Sequence, residues 1–392
     1  MTRTKILALA PDLSENSTLT AWQFQGALEA MGYDVTLAGP ASARPWVPLS
    51  EELGSAVRFG APAVWPPLSG PDRLASASAL VYAFKAHPSS FGLGLRLARG
   101  RDLPVVLHLD DWDAGFLRGG RRLRRAWWAA RALSNPDGEL WLRACEALIP
   151  RADALTVSTR TLQRRFGGTV VRQGVDTDRF RPDRYPRSVA RERLGLAADQ
   201  PMVLFLGTPR RHKGIDLLLS LKDLRNAVWI VGAGPRIVEE LGLDEASLDG
   251  VTLLPPVSYE EAAWYMAACD VFVVPQEDTP FAAHQVPAKL LKAMSLGLAV
   301  VTTDVGDASE LLGGDPAAGM VVPPGSPAAL REAISLLLGD PGARAALGGE
   351  ARTRAEAHHG WSAMGRTLDA LVSGLVSGGG APRGLDFPGG GS

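Results

Sequence analysis

Short aliphatic runs that end at Gly, Pro or Asp alternate with longer stretches of helical apolar spacing along most of the chain. In the first half the runs are "KILALA" (5–10), "DVTLAG" (34–39), "ALVYAF" (79–84), "PVVLHL" (104–109) and "ALTVST" (154–159). In the second half they are "MVLFLG" (202–207), "AVWIVGAG" (227–234), "VTLLPP" (251–256), "VFVVP" (271–275), "AVVTTD" (299–304) and "GMVVPP" (319–324). Such runs are typical of buried parallel strands with helices on both faces of the sheet. The pattern therefore predicts an α/β fold with two successive doubly wound sheets.

The length of the chain, 392 residues with 46% hydrophobic side chains, exceeds what one core usually organises. A charged, proline-bearing segment at 176–196 has the composition of an exposed linker. We predict a first domain at 1–182 and a second at 183–361. A helix near 362–377 is a candidate to pack back on the first domain. The glycine-rich end, 378–392, is predicted to be a disordered tail. Two such domains suggest a cleft, with ligands at the carboxyl ends of the strands.

The charge balance argues against a nucleic-acid partner, because 41 Lys and Arg meet 42 Asp and Glu for a net charge of -1. The two cysteines, Cys145 and Cys269, have neither disulfide-framework nor zinc spacing. A reducing, cytoplasmic location fits best. The apolar run at the start is too short for a signal peptide or a membrane span, and it reads as a first strand.

The richest stretch, 275–312, reads as strand, irregular loop, helix from about Pro287, a stop at Gly297, a further strand and a turn. A helix that begins at the carboxyl ends of strands favours anions, because its free amides and dipole are positive there. Lys289 lies in the first turn of this predicted helix. We expect Lys289 to contact a phosphate.

Several motifs in this half resemble those of family 4 (group 1) glycosyltransferases: "VRQGVDTDRFRP" (171–182), "GTPRRHKGIDLLL" (207–219), "VGAGP" (231–235) and "KAMSLGLAVV" (292–301). They follow the family's order over most of residues 171–362. The resemblance implies the GT-B architecture, two Rossmann-like domains facing each other across a cleft, and a retaining reaction. It also implies a nucleotide-sugar donor held mainly by the second domain, with neither a cofactor nor a metal.

Carried over position by position, the resemblance makes Lys213 the lysine of the donor diphosphate, where it would neutralise charge on the leaving group. A solvated basic loop is the alternative for this segment. Thr208 occupies the place of the family's arginine, and Arg210 or Arg211 is a nearby substitute. The resemblance also assigns three residues to the donor site: Gly232, Gly306 and Glu310.

Lys292 stands where the family has its second glutamate, which binds the ribose hydroxyls. An ammonium has only donors and cannot replace that acceptor. Three interpretations stay open: a solvated helix residue with the ribose held by Glu310 or backbone, a contact to a phosphate or acidic sugar, or a lost nucleotide site. The family's first glutamate falls on His284, while Glu277 or Asp278 is an alternative contact for the donor sugar.

In the first half, the strand end "LHLDDWDAGF" (107–116) matches the place where the family has a His-Asp pair. Asp110 and Asp111 are predicted to act near the reacting centre, with His108 one step inside the strand; a turn that caps the next helix is the alternative. Other acceptor-side candidates follow the predicted strands at 5–10 and 79–84: Ser14, Glu15, Asn16, Lys85 and His87. Capping of the next helix explains the first three equally well.

Six arginines surround Trp127 and Trp128 within 116–133. Basic residues with tryptophans suit a helix at the surface of an anionic membrane, and we assign that contact to 118–132. The alternative is an amphipathic helix with its tryptophans in the core. The protein would then be cytoplasmic, or peripheral at the inner membrane face.

The function predicted is that of a retaining glycosyltransferase, with a UDP-sugar favoured as donor and a glycan, a lipid-linked molecule or a small molecule as acceptor. A nucleotide-sugar epimerase of the same architecture and a non-catalytic binding subunit are the alternatives. Lys292 and Thr208 favour the non-catalytic subunit, whereas the Lys213 region counts against it.

Overall fold

The computed structural model describes residues 3–44, 46–60, 69–116, 138–234, 237, 241–242 and 245–378. The chain divides into two compact units. The first unit comprises Met1–Gly174 together with Trp361–Ser392, and the second unit comprises Val175–Gly360. The predicted membrane-contact segment 118–132 and almost all of the predicted tail lie outside the described residues.

The described part of the first unit contains a seven-stranded parallel sheet in the order β3-β2-β1-β4-β5-β6-β7. Its strands are β1 (Lys5–Leu9), β2 (Asp34–Pro40), β3 (Val57–Phe59), β4 (Leu80–Phe84), β5 (Val105–Leu109), β6 (Ala154–Val157) and β7 (Thr169–Val170). Its helices are α1 (Thr18–Ala30), α2 (Ser69–Ser76), α3 (Leu93–Ala98), α4 (Asp113–Phe116), α5 (Glu139–Ala147), α6 (Arg160–Phe166) and α14 (Trp361–Ser377).

The second unit contains, within its described residues, a six-stranded parallel sheet in the order β10-β9-β8-β11-β12-β13. Its strands are β8 (Val203–Leu206), β9 (Val228–Val231), β10 (Thr252–Leu254), β11 (Val271–Val274), β12 (Val300–Thr303) and β13 (Met320–Val322). Its helices are α7 (Arg187–Arg193), α8 (Ile215–Leu219), α9 (Tyr259–Ala268), α10 (Ala288–Ser295), α11 (Ala308–Leu312), α12 (Pro327–Gly339) and α13 (Pro341–Arg354).

The central strands are buried along almost their whole length, as sheets covered by helices on both faces require. Every residue of β4, β5, β11 and β12 is buried. The predicted α/β fold with two doubly wound sheets is therefore confirmed, and each of the eleven predicted runs contains a strand. Two strands that the sequence did not predict, β3 and β7, lie at the edges of the first sheet.

The last helix, α14, belongs to the first unit although it follows the second unit in the sequence. It packs on α1, where the Trp22 and Trp361 rings meet edge to face with centroids 5.5 Å apart. The hydroxyl of Tyr33 donates to Asp369 Oδ1 at 2.6 Å. The first unit is therefore completed by the end of the chain.

The strand order reverses beside the first strand of each sheet, where β1 lies between β2 and β4 and β8 lies between β9 and β11. Loops after two adjacent strands diverge at such a switch point, and ligands of doubly wound sheets usually bind there. The loops to consider are those after β1 and β4 in the first unit, and those after β8 and β11 in the second.

Candidate functional site

Two glycines hold the loop after β8 against the neighbouring strand ends. Gly214 has φ +72°, and a Cβ added there would lie 1.5 Å from the carbonyl oxygen of Pro275. Gly232 has φ +111°, and its added Cβ would lie 2.7 Å from the carbonyl carbon of Gly207. Only glycine allows both the left-handed backbone and this close approach. The basic turn Arg211–Lys213 is thereby held at the carboxyl edge of the second sheet.

Lys289 reaches this edge from the first turn of α10. Its Nζ donates to the carbonyl oxygen of Leu206 at 2.6 Å and lies 4.2 Å from the centroid of the Phe205 ring. Burial, with the charge of Lys213 added, holds the pKa of Lys289 well below its ordinary value. Lys289 lies in the first turn of a helix as the sequence predicted, next to the loop after β8. Its contact with a phosphate stays a prediction.

The basic turn itself divides into two parts. The Nζ of Lys213 donates to the carbonyl oxygen of Thr208 at 3.0 Å, so the lysine folds back over its own loop. Arg210 is exposed, and it makes no ion pair with a carboxylate among the described residues. Arg211 instead donates to the carbonyl oxygen of Leu241 at 2.6 Å and lies 3.5 Å from Asp216 Oδ2. Of these two arginines, Arg210 is therefore the one without an ion pair to a described carboxylate.

His212, between these cations, is a neutral imidazole at neutral pH. Burial comes first among the causes, followed by the positive charges of Lys213, Arg210 and Lys289, and together they lower its pKa to about 4. Its ring meets that of Phe281 edge to face at 5.3 Å. Lys213, Arg210 and Lys289 therefore all lie close enough to His212 for their charges to act on its imidazole.

Several other predicted donor-site residues lie on the same edge. Glu277 is partly exposed, and its backbone N–H donates to the carbonyl oxygen of His212 at 3.1 Å. Gly306, with φ +63°, approaches the turn Ala282–His284 so closely that an added Cβ would lie 2.9 Å from the Ala283 oxygen. Asp278 and Glu310 are exposed. The structure therefore brings the loops after β8, β11 and β12 together.

His284 points back into its own turn. Its Nδ1 is hydrogen-bonded to the carbonyl oxygen of Pro280, and the side chain is buried. The ring is thus engaged within the loop, and a direct contact with a donor stays a prediction.

Lys292 is not solvated, and that interpretation is wrong. Only 3% of the residue is exposed, and its Nζ donates to the carbonyl oxygen of Tyr259. The same Nζ lies 3.7 Å from the Tyr259 ring centroid and 4.1 Å from that of Phe180. Two aromatic faces and a carbonyl oxygen replace water around the ammonium. Its predicted role in donor binding stays untested.

The first unit gathers carboxylates around one lysine at the end of β4. Lys85 has φ +65°, and its buried Nζ lies 2.8 Å from Asp111 Oδ2, 2.9 Å from Asp113 Oδ1 and 3.4 Å from Asp110 Oδ1. Burial alone would lower the pKa of Lys85, but the three carboxylates raise it well above its ordinary value. The sequence proposed Lys85, Asp110 and Asp111 separately, and missed Asp113 although it stands in the same "DDWD" run.

Asp110 is further tied to two residues that the sequence analysis did not single out as site residues. Thr20 donates to Asp110 Oδ2 at 2.8 Å, and the Nε2 of Gln173 donates to Thr20 Oγ1 at 2.7 Å. The Oε1 of Gln173 is buried without a hydrogen-bond partner in the described part of the chain. Gln173 belongs to the "VRQGVD" motif. Its hydrogen bond to Thr20 joins residues 153 positions apart, so no local sequence pattern predicts it.

His108 is a core residue. It has no exposed surface, its Nδ1 lies 3.0 Å from Thr156 Oγ1, and its ring lies 4.3 Å from that of Phe24. Burial, then the charge of Lys85, lowers its pKa to about 3. The imidazole is therefore neutral and enclosed.

The remaining acceptor-side candidates are either exposed or hydrogen-bonded to nearby loop residues. Ser14 Oγ donates to the carbonyl oxygen of Ala43 at 3.1 Å and accepts from Ala43 N at 2.9 Å. Glu15 and Asn16 are exposed. The Nδ1 of His87 lies 2.7 Å from Ser89 Oγ. These residues line the switch-point loops of the first unit, and their acceptor contacts stay predictions.

The described ranges contain neither a candidate metal site nor a candidate membrane-spanning helix. No group of three or more His, Cys, Asp or Glu side chains there is arranged to hold a metal ion. Within the same ranges, no helix has both the length and the apolar character needed to cross a membrane.

The two units define a protein of the GT-B class, two Rossmann-like domains in one chain. HepE of Anabaena, solved in complex with UDP and glucose, has this fold with a TM-score of 0.67 at 18% identity, over 95% of this chain and 100% of that one. Residues 200–340 match the family described as Glycosyl transferases group 1. The D-inositol 3-phosphate glycosyltransferase 1 of Catenulispora acidiphila is 34% identical over 327 residues, covering 76% of this chain and 73% of that protein. The chain belongs to the group 1 glycosyltransferases.

A second relative, the D-inositol 3-phosphate glycosyltransferase of Xylanimonas cellulosilytica, is 33% identical over 279 residues. The match covers 65% of this chain, and the chain spans 65% of that relative's length. These matches show the family of the chain. The substrates in the names of the relatives are those of the relatives.

Proposed function

We propose that the protein is a retaining glycosyltransferase that moves a sugar from a nucleoside-diphosphate donor to a hydroxyl group of an acceptor. One observation carries the proposal: the basic side chains Arg210, Lys213 and Lys289 converge at the switch point of the second sheet. Like charges that are held together in this way favour an anionic ligand, because the ligand relieves their repulsion.

The donor diphosphate is assigned to Lys213, Arg210 and Lys289. Charge grows on the diphosphate as the glycosidic bond breaks, so a cation at this place stabilises the transition state more than the ground state. Glu277 or Asp278 is assigned to the donor sugar, and Gly306 with Glu310 to the turn beside it. A UDP-sugar is the favoured donor, supported by the UDP in the structure of HepE.

The acceptor is assigned to the edge of the first unit that carries Asp110 and Asp111. Carboxylates there can orient an acceptor hydroxyl and stabilise positive charge at the anomeric carbon. The leaving diphosphate would take the proton of that hydroxyl on the same face, so the anomeric configuration is retained. A glycan, a lipid-linked molecule or a small polyol fits this chemistry, and the names of the relatives support a polyol phosphate.

The proposed location is the cytoplasm, with contact to a membrane as the finer proposal. Both cysteines are buried free thiols, which suits a reducing compartment. The membrane contact rests on the arginine-rich sequence at 118–132 alone.

Lys213→Ala tests the donor site. We expect one of UDP, GDP, ADP, dTDP or CMP to raise the melting temperature of the wild type, because a ligand at 100 times its Kd adds roughly 2.7 kcal/mol of stability. Lys213→Ala should abolish that rise, and should lower kcat/KM for sugar transfer by about 10²-fold or more. Differential scanning fluorimetry and a coupled assay of nucleotide release measure the two effects.

Lys222→Ala is the matched control, because Lys222 is an exposed lysine of the same unit. It should keep both the nucleotide response and the activity. If none of the five nucleotides stabilises the wild type at millimolar concentration, the non-catalytic subunit replaces the transferase as the better account. Consumption of a nucleotide sugar without any acceptor, giving an isomer as product, would indicate the epimerase.

A further inference from the structure

Three side chains from distant parts of the first unit form a buried chain of hydrogen bonds that ends on Asp110. The Nε2 of Gln173 donates to Thr20 Oγ1 at 2.7 Å, and Thr20 Oγ1 donates to Asp110 Oδ2 at 2.8 Å. Thr20 lies in the first turn of α1, Asp110 follows β5, and Gln173 lies three residues after β7. None of the three exposes more than 9% of its surface. The fold therefore brings them together away from water.

The chemistry of the groups fixes the direction of both bonds. A hydroxyl group has one hydrogen to donate, and an ionised carboxylate oxygen only accepts. Because the amide N–H of Gln173 takes a lone pair of Thr20 Oγ1, the hydroxyl hydrogen of Thr20 is left for Asp110. An oxygen in place of that amide nitrogen would accept the hydroxyl hydrogen and draw it away from Asp110. The donor at position 173 thus keeps Thr20 directed at the carboxylate.

The orientation of the Asp110 carboxylate depends on this hydrogen bond. Rotation about χ2 of an aspartate has broad minima, so a directional contact is needed to fix its plane. Oδ1 of Asp110 lies 3.4 Å from Lys85 Nζ but makes no hydrogen bond with a described residue. The Lys85 ammonium donates instead to Asp111 Oδ2 and Asp113 Oδ1. Among the described residues, Thr20 is therefore the donor that orients Asp110.

We propose that Thr20 and Gln173 are positioning residues of the transferase, which hold the Asp110 carboxylate in the orientation that the acceptor hydroxyl group requires. The inference rests on the proposed function, which assigns Asp110 to the acceptor. Gln173 acts on Thr20 and Thr20 acts on Asp110, and neither side chain contacts a substrate. A misplacement of about 1 Å at a reacting centre can cost about 10²-fold in rate, so these remote bonds affect kcat.

The kinetic test compares full-length wild type, Thr20→Val, Thr20→Ser and Gln173→Met. Nucleotide release is measured from UDP-glucose, GDP-mannose and ADP-glucose, with myo-inositol, D-inositol 3-phosphate or water as acceptor. Thr20→Val should lower kcat about tenfold or more, because it removes a hydrogen bond to a charged group, and should leave the KM for the donor nearly unchanged. Thr20→Ser keeps the hydroxyl group and should stay within about threefold of the wild type. Gln173→Met should lower kcat about threefold or more.

Two further comparisons separate positioning from a general effect on the fold. If Gln173 acts only through Thr20, Gln173→Met should cause no further loss of kcat in the Thr20→Val background. Gln25→Met is the matched control, because Gln25 lies on the same helix as Thr20 but bonds to Glu29 and to the Val35 carbonyl oxygen. It should keep the kcat of the wild type. Crystal structures of Thr20→Val and Thr20→Ser should show the Asp110 carboxylate turned in the first variant only.

The inference is overturned if Thr20→Val keeps the kcat of the wild type, if Thr20→Ser loses as much as Thr20→Val, or if Asp110 keeps its orientation in Thr20→Val. If Thr20→Val proves unstable, Gln173→Met decides, because it leaves both Thr20 and Asp110 in place, and an unchanged kcat then counts against the inference. If the wild type releases no nucleotide from any donor, the proposed function fails, and the crystal structures alone decide whether Thr20 orients Asp110. Activity that is insensitive to both positions would leave the proposed function standing without the inference.

Discussion

Three lysines that lie wholly or partly out of water are stabilised in three different ways. Lys85 is surrounded by carboxylates, Lys292 by aromatic rings, and Lys289 by one carbonyl oxygen and one ring. An ammonium is costly to bury unless it is paired or hydrogen-bonded. Lys85 and Lys292 therefore stabilise the fold, whatever part they take in a site. Lys289, in contrast, can still donate hydrogen bonds to a ligand.

Lys85→Met should destabilise the protein by about 3–5 kcal/mol at pH 8, because it leaves one buried carboxylate, that of Asp110, and two partly buried ones without their cation. In the wild type, Lys85 has a raised pKa, so its stabilisation persists through neutral pH and is lost only as the solution becomes strongly alkaline. In the variant, the uncompensated carboxylates have raised pKa values, so the deficit should shrink as pH falls toward 4. Urea unfolding at pH 8 and pH 5 measures the difference.

Lys5→Met is the control for that experiment. Lys5 pairs with Asp34 at 4.0 Å, but both side chains are more than half exposed. Such a surface pair is worth at most about 1 kcal/mol. Equal losses of stability in the two variants would show that the Lys85 cluster is not the buried charge network described above.

The contacts of each lysine could not be predicted from the neighbouring sequence. The pattern identified Lys292 as anomalous, but its bond to Tyr259 spans 33 positions, and Phe180 lies in a different segment. In the same way, the partners of Lys85 stand 26 and 28 positions away. The order of the motifs along the chain identified these residues as candidates. Their contacts depend on residues that only the folded structure brings close.

At the scale of elements, glycine geometry fixes the loops that form the site. Gly214→Ala should cost at least about 3 kcal/mol, because the added Cβ would lie 1.5 Å from Pro275 oxygen in a left-handed backbone. The shift needed to relieve this clash displaces Lys213, so we also expect nucleotide binding to weaken. Urea unfolding and the fluorimetric nucleotide shift measure both effects.

Gly325→Ala separates backbone strain from the steric clash. Gly325 has φ +68°, close to that of Gly214, but no atom lies within 4 Å of its added Cβ. It should lose only about 1 kcal/mol and bind nucleotide normally. A similar loss in the two variants would mean that the loop tolerates a Cβ at 214 and that the close approach is unimportant.

Strand positions were predictable because burial on both faces demands continuous apolar runs. Nothing comparable marks β3, whose residues are exposed or half-buried, or the two-residue β7. Edge strands need to satisfy only one neighbour, so their sequences carry little signal. The switch-point loops could be located because they follow strands with a strong apolar pattern. The hydrogen bonds within these loops have no comparable pattern in the sequence.

For the whole molecule, the first unit is built from two separate stretches of the chain. The chain leaves the first unit after Gly174 and returns to it at Trp361. Met364, Leu368 and Val372 of α14 are buried, and Gly365 packs so closely on α1 that an added Cβ would lie 2.7 Å from the Ala27 oxygen. The first unit therefore depends on residues that follow the second unit in the sequence.

Leu368→Ala tests this dependence. Leu368 is fully buried, so the cavity left by its truncation should cost about 2–5 kcal/mol. Because α14 belongs to the first unit, we expect faster amide hydrogen exchange in α1, α14 and the first sheet, with peptides of the second unit unchanged. Ser373→Ala, at an exposed position of the same helix, should change stability by no more than about 0.5 kcal/mol. Faster exchange throughout both units would show that they unfold as one body, whereas an effect restricted to the first unit would show that α14 stabilises it alone.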